Sequence, residues 1–320
     1  MATSGVLAGK GFEFAVLDAF RDALARDGVH VTVCDTAAYK TAASAFAALT
    51  GDEQADYKAA ALAAFKVIAP LEPHLSTGSA ALVLRIQDDG QGQKGDVRDV
   101  VCIRSAEGWE VGISCKHNHE ALKHPRVTRA ADFGAAWVGV PCSQTFCDAI
   151  ARVMDVVEAW EGTAWREHPD KQEAVYRPVL EAYAAEVARL CNTSADVPAR
   201  LVGYFFGVQD FYKVIAKDKR ARGSAGMTKV MAFNLGGTLG QAAAGKRPLH
   251  KVRQIALPSR LIEVTMKKGS RTTLLLTFSD GWAISMRLHS ADTLVKKTGL
   301  KWDVQLQGLP PEMLVQSQPW

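Results

Sequence analysis

Between residues 95 and 117 the chain carries two β-prone runs, Val97 to Arg104 and Trp109 to His117, split by a short turn that contains Gly108. Runs of this type around so short a turn predict a β-hairpin, and a hairpin locks two strands into one register. The preceding stretch, Asp88-Asp89-Gly90-Gln91-Gly92-Gln93-Lys94-Gly95, is too polar and glycine-rich for a packed element and reads as a loop. Other segments must cover the sheet that this hairpin begins. From Gly11 to Asp27 the apolar residues Phe12, Val16, Ala19, Phe20, Ala23 and Leu24 recur at helical spacing, and Asp27-Gly28 supplies a stop. A short strand, Val29 to Val33, is followed by alanine-rich helical segments to about Ile68, where Pro70 and Pro73 end them. Ala81 to Ile86 reads as a strand, as does Trp137 to Val140, and helices are expected over Ser143 to Trp160 and Gln172 to Cys191. From about Thr193 the character changes. Arg260 to Met266, Thr272 to Phe278 and Trp282 to His289 read as an antiparallel meander with Lys268-Gly269 and Asp280-Gly281 turns. The expected class is α/β, with a helix-flanked mixed sheet over 1–192 and a β-rich part over 193–320.

The chain's 320 residues suffice for one large or two ordinary domains, and 48% hydrophobic with 22% charged residues is ordinary for a folded protein. Met1-Ala2-Thr3-Ser4 does not open a basic, then apolar, leader, and no apolar run is long enough to span a bilayer, so a cytoplasmic location is expected. The six cysteines show no CxxC pair and read as reduced thiols. A net charge of +4 is compatible with a polyanionic partner, and two clusters, Lys213, Lys217, Lys219, Arg220, Arg222 and Lys246, Arg247, His250, Lys251, Arg253, load the second half with positive charge.

With the hairpin turn centred between Arg104 and Trp109, Asp99 falls opposite Ser114 and diagonal to Lys116, all on one face. Opposite residues lie about 5 Å apart and diagonal ones about 7–8 Å, within reach of one metal ion and its water. A hard carboxylate oxygen suits magnesium, and lysine neutralises phosphate charge or orients a nucleophile; this is the logic of PD-(D/E)xK nucleases. Ser114 stands where that pattern has an acid, so a second carboxylate must come from elsewhere. Glu110 is excluded, since six residues of strand place it roughly 20 Å from Lys116. Glu120 and Glu13 are the candidates, and Asp96 is the alternative to Asp99 if a bulge turns it to the same face.

The segments Gly95-Asp96-Val97-Arg98-Asp99-Val100 and Trp109 through His124, with its Lys116-His117-Asn118-His119-Glu120-Ala121-Leu122-Lys123-His124 run, resemble the central block of the HaeIII family of type II restriction endonucleases. Asp210-Phe211-Tyr212-Lys213 and Gly281 through Ala291 are similar to the same family, and the patches extend from about Gly11 to about Pro310. The resemblance implies a PD-(D/E)xK-like core, Mg2+ as cofactor, and hydrolysis of double-stranded DNA at a palindrome, GGCC cut to blunt ends. It also implies a host methyltransferase that protects the site. A palindromic target suggests a two-fold homodimer. Residues placed to meet DNA are Asn118, His119, Lys123, His124, Arg126, Tyr212, Lys213, Arg287 and His289. Two alternatives stay open. Ser114 suits a DNA-binding protein of this fold that has lost catalysis, and the basic loops suit a metabolic enzyme for phosphorylated substrates, although no Walker A or strand-linked GxGxxG sequence is present.

Overall fold

The computed structural model describes residues 4–88, 90, 96–118, 120–130, 132–207, 209–218 and 225–320. Most of the glycine-rich loop before the hairpin, His119, and the basic residues Lys219, Arg220 and Arg222 lie outside the described residues. In chain order the elements are α1 (Ser4–Arg26), β1 (Val31–Val33), α2 (Ala37–Ala47), α3 (Gly51–Ile68), β2 (Leu82–Ile86), β3 (Val100–Arg104), β4 (Trp109–His117), α4 (Gln144–Ala159), α5 (Arg177–Cys191), α6 (Val197–Phe206), β5 (Phe211–Lys217), β6 (Met227–Phe233), β7 (Leu261–Met266), β8 (Thr273–Phe278), β9 (Ala283–Ser290), β10 (Leu300–Gly308) and β11 (Val315–Pro319).

These elements form two compact units that interleave along the chain. Unit 1 comprises 1–120, 207–255 and 312–320, and unit 2 comprises 121–206 and 256–311. A single cut at 192/193 differs from this division, because α5 and α6, on either side of it, both belong to unit 2.

Unit 1 is a seven-stranded mixed sheet in the order β1-β2-β3-β4-β5-β6-β11. β2, β3 and β4 are antiparallel neighbours, and β5 lies parallel to β4. The helical spacing in α1 has the expected consequence: Phe12, Val16, Phe20, Ala23 and Leu24 are all buried, packed with Tyr57, Ala61 and Phe65 of α3 and with Val111, Ile113 and Cys115 of β4. A capping box at Thr50 and Glu53 starts α3, and its last residue, Ile68, precedes Pro70 as the sequence predicts. The hairpin turn is one 3-10 turn, Ser105–Glu107, closed by Gly108 at φ +60°, a conformation that favours glycine. Gly112 is required for a different reason. A Cβ there would meet Arg98 Cδ at 1.9 Å, because the Arg98 side chain lies flat over β4 between Asp96 and Glu110.

Unit 2 pairs β10-β9-β8-β7 in an antiparallel sheet. The three strands of the expected meander are β7, β8 and β9; β10 extends it. Trp282, Ile284, Met286 and Leu288 are buried on one side, and Tyr183 of α5 packs edge-on against Trp302, with ring centroids 4.9 Å apart. Trp137 to Val140 is not a strand. Gly134–Val138 is a π-helical turn, started by Asp132, which accepts from Ala135 N at 2.9 Å, and stopped by Gly139 at φ +72°. The apolar run suits a buried helical turn as well as a strand, and the Asp132 and Gly139 caps select the turn.

Candidate active site

Asp99 sits one residue before β3, in the register that the hairpin predicts: Val100 pairs with Ile113, so Asp99 stands opposite Ser114. One carboxylate oxygen, Oδ2, accepts from Cys115 N at 2.6 Å and from Ser114 Oγ at 3.2 Å, and Lys116 Nζ lies 3.7 Å from it. All three approach Oδ2. Ser114, where an acid would add charge, instead orients the Asp99 carboxylate. The Asp99 charge raises the Lys116 pKa, so this lysine stays protonated at neutral pH.

Glu13 joins the pair from above the sheet. It is 7% exposed on α1, one residue from the buried Phe12, and its Oε2 accepts from Lys10 Nζ at 3.0 Å. Burial, and then the negative charge of Asp99, push the Glu13 carboxyl up to about 7. Glu13 and Asp99 thus bring two carboxylates to one site, with Lys10 and Lys116 as the opposing charges. Among the described residues, this pair is not part of any larger metal-holding group of His, Cys, Asp or Glu.

Lys213 on β5 is the Cα partner of Ser114 and is only 3% exposed. Its Nζ donates to the Glu120 carbonyl at 2.9 Å. Burial and then the nearby Lys116 charge lower its pKa to about 7. Lys213 therefore belongs with the Asp99 cluster and not on an exposed surface.

The other candidate acids are engaged elsewhere. The Glu120 carboxylate is ion-paired with Lys217, which holds it below the usual carboxylate range. Asp96 accepts from Arg98 and from Gln87 Nε2, each at 2.8 Å, and Arg98 also binds Glu110. Tyr212 corrects an expectation: it is 0% exposed and its hydroxyl donates to the buried Glu72 at 2.7 Å, so it cannot reach DNA. β5 turns Lys213 to one face and hence Tyr212 to the other, into the core. Asn118, at φ +54°, is held at both ends of its side chain by Asp218, donating to Oδ2 at 2.5 Å and accepting from the backbone N–H at 3.0 Å. His117 bridges Tyr57 Oη at 3.0 Å and Asp218 Oδ1 at 2.8 Å. Sequence reasoning did not find Lys10, Tyr57 or Asp218. Lys10 alone carried a local signal, its i,i+3 spacing to Glu13 on a helix.

In unit 2, Lys123 Nζ lies 4.0 Å from the Tyr204 ring centroid and Arg126 donates to the Thr298 carbonyl. His124 Nδ1 lies 3.9 Å from Asp303 Oδ1, and Arg287 Nη2 lies 3.2 Å from Asp303 Oδ2. His289 is partly buried, with Nδ1 3.1 Å from the Ser290 carbonyl.

The family model for HaeIII restriction endonuclease matches residues 9–310. The chain is 31% identical over 315 residues to the type II restriction enzyme HaeIII of Haemophilus aegyptius, covering 98% of this chain and 97% of that protein. No solved structure matches. The family match runs from α1 past β10 and takes in both Glu13 and the hairpin carrying Asp99 and Lys116: the chain belongs to the HaeIII restriction endonuclease family.

Proposed function

We propose that the chain is a magnesium-dependent type II restriction endonuclease whose phosphodiester-cleaving centre lies in unit 1 at Asp99, Glu13 and Lys116. The observation that carries this reading is the carboxylate pair of the buried Glu13, pushed up to about 7 by burial and then by the Asp99 charge, and the partly buried Asp99, with the protonated Lys116 3.7 Å from Asp99. Two hard carboxylates fit a magnesium ion, and Asp99 and Glu13 would hold it. The ion would supply charge stabilisation at the scissile phosphate and acidify a water. Ser114 Oγ and Cys115 N–H fix the orientation of Asp99 through Oδ2. Lys116 keeps its proton and donates to a phosphate oxygen as charge builds there. Lys213, buried beside it, adds a second cation when protonated. Glu13 supplies the carboxylate that Ser114 does not, which removes the reason for a catalytically dead reading.

The substrate in this reading is double-stranded DNA at GGCC, cut to blunt ends, as the resemblance implies. A two-fold dimer acting in the cytoplasm, with a host methyltransferase protecting the same site, completes it.

The test is digestion of unmethylated phage DNA with and without Mg2+, using wild type, Asp99→Ala and Lys116→Ala. Discrete bands are expected from the wild type with metal only, and each variant should lose about 100-fold or more in rate. Unimpaired cleavage by folded Asp99→Ala would reject the centre, and a wild type that binds but never cuts would reject catalysis.

A further inference from the structure

The four strands of unit 2 are extended by a neighbouring segment: Trp302 N donates to Pro125 O, Val127 N donates to Leu300 O, and Arg126 bridges to Lys301. Two cross-sheet rows result. Arg126 stands by Lys301, which pairs with His289; Asp303 pairs with Arg287, which pairs with Thr273, and His124 flanks Asp303 on its other side. Side chains two apart on a strand share a face, so both rows lie on the side opposite the buried Trp282, Ile284, Met286 and Leu288.

The hydrogen-bonding character of this face is mixed in a specific way. Arg287 is exposed and aimed by Asp303, whose Oδ2 also accepts from Gln305 Nε2 at 3.0 Å. Asp303 is only 4% exposed, and among the described residues its Oδ1 accepts no hydrogen bond. His289 Nε2 is likewise buried without a partner. The Ser290 carbonyl can only accept, so His289 carries its proton on Nδ1 and Nε2 presents a lone pair. Burial lowers the His289 pKa and keeps that neutral form at pH 7. The face thus exposes a guanidinium donor above two unused acceptors that lie just beneath it.

A phosphate group offers acceptors only and would leave those two atoms unpaired. Base pairs in the major groove offer both kinds of group; on G·C they are the guanine N7 and O6 acceptors, which suit Arg, and the cytosine N4 donor, which suits a carboxylate, whereas the commonest readers of adenine are Asn and Gln. Residues two apart on a strand are spaced about 6.6 Å, close to two base-pair rises of about 3.4 Å, so Arg287 and His289 can address separate steps. We propose that the polar face of the β7–β10 sheet is the base-reading surface of this enzyme, with Arg287 donating to guanine and the Asp303 and His289 acceptors taking the cytosine amino groups. Both acceptors are closed to solvent, so contact requires side chains to move: the half-exposed His124 must turn outward from Asp303 Oδ1, and the partly buried His289 must turn its Nε2 to the surface. The assignment rests on the restriction-endonuclease reading, and Asp303 serves also as the positioning residue for Arg287.

The experiment measures binding without Mg2+, so that cleavage is silent, to a duplex carrying the site that the wild type cuts and to a scrambled duplex, across a salt series. Arg287→Ala is expected to lower the specific-to-scrambled ratio roughly 10- to 100-fold with an unchanged salt slope. Replacing the contacted guanine by 7-deazaguanine should cost the wild type affinity and cost Arg287→Ala nothing further. Asp303→Asn and His289→Leu should lose discrimination, while His289→Gln, which keeps an acceptor, retains most of it; thermal unfolding confirms that each is folded. An equal loss on both duplexes with a salt slope reduced by about one marks phosphate contacts and overturns base reading. No change in either duplex overturns any contact at this face. A wild type that neither binds nor cuts DNA removes the nuclease reading and this one together, whereas cleavage with unaltered discrimination in the variants removes only this one.

Discussion

Asp99 in unit 1 and Asp303 in unit 2 occupy similar settings, each beside or on a strand, each across the ladder from a polar side chain, and each within 4 Å of a cation. Their surroundings differ in sign. Asp99 shares its site with a second acid, the buried Glu13, which clings to its proton first because of its burial and then because of the Asp99 charge, against the opposing pull of Lys10 and Lys116. Asp303 is a lone acid among Arg287, His124 and, one row away, Lys301 and His289. In the proposed reading the acid pair holds a metal, whereas the single acid aims the Arg287 guanidinium. On the proposed function and the proposed base-reading face, the same residue type serves chemistry in one unit and recognition in the other.

The largest effect that would break this contrast is at Glu13. Glu13→Gln should weaken magnesium binding by about tenfold or more at pH 8, and titration calorimetry reads this directly. In the wild type, proton and metal compete, so affinity should rise as pH climbs to about 7 and then level off; in Glu13→Gln that rise should vanish. An unchanged pH profile would show that Glu13 is not the second acid.

Glu72 sharpens the comparison as a buried acid without an acid partner. Burial raises it from 4.5 to about 7, opposed by hydrogen bonds from Tyr212 and Gly240 N. Its folded pKa lies above its unfolded one, so its contribution to stability is complete below about pH 4.5 and is lost as pH rises through 7. The loss is on the order of 3 kcal/mol. Urea unfolding across that window should show the fall, and Glu72→Gln should flatten it while leaving magnesium affinity unaltered. The smallest effect is expected at Glu120. Its carboxylate serves Lys217, so Glu120→Gln should change cleavage by less than about threefold and cost under about 1 kcal/mol of stability. A loss as deep as that in Asp99→Ala would place Glu120, and not Glu13, beside the metal.

Several of these features were legible before any coordinates. The hairpin register followed from a short turn and an index sum, so the relation of Asp99 to Ser114 and Lys116 was already explicit. The spacing of Phe12, Val16 and Phe20 told which side of α1 is buried. β5 and β6 escaped notice because their residues are buried almost throughout, which erases the alternation that marks a half-exposed strand. For the same reason Tyr212 and Lys213 looked equivalent, although one points into the core beside Glu72 and the other toward Lys116.

The sequence by itself determined the local geometry of the hairpin, the apolar face of the first helix, the α/β class and, through its motifs, the family. Only the tertiary structure decided that Glu13 and not Glu120 meets Asp99, that two units interleave along the chain, and that His124, Asp303 and Arg287 stand side by side. The physical reason is range. A turn or a helical period constrains residues a few positions apart, whereas residues 86 or 179 positions apart are brought together by the packing of helix on sheet and strand on strand, which no local period encodes.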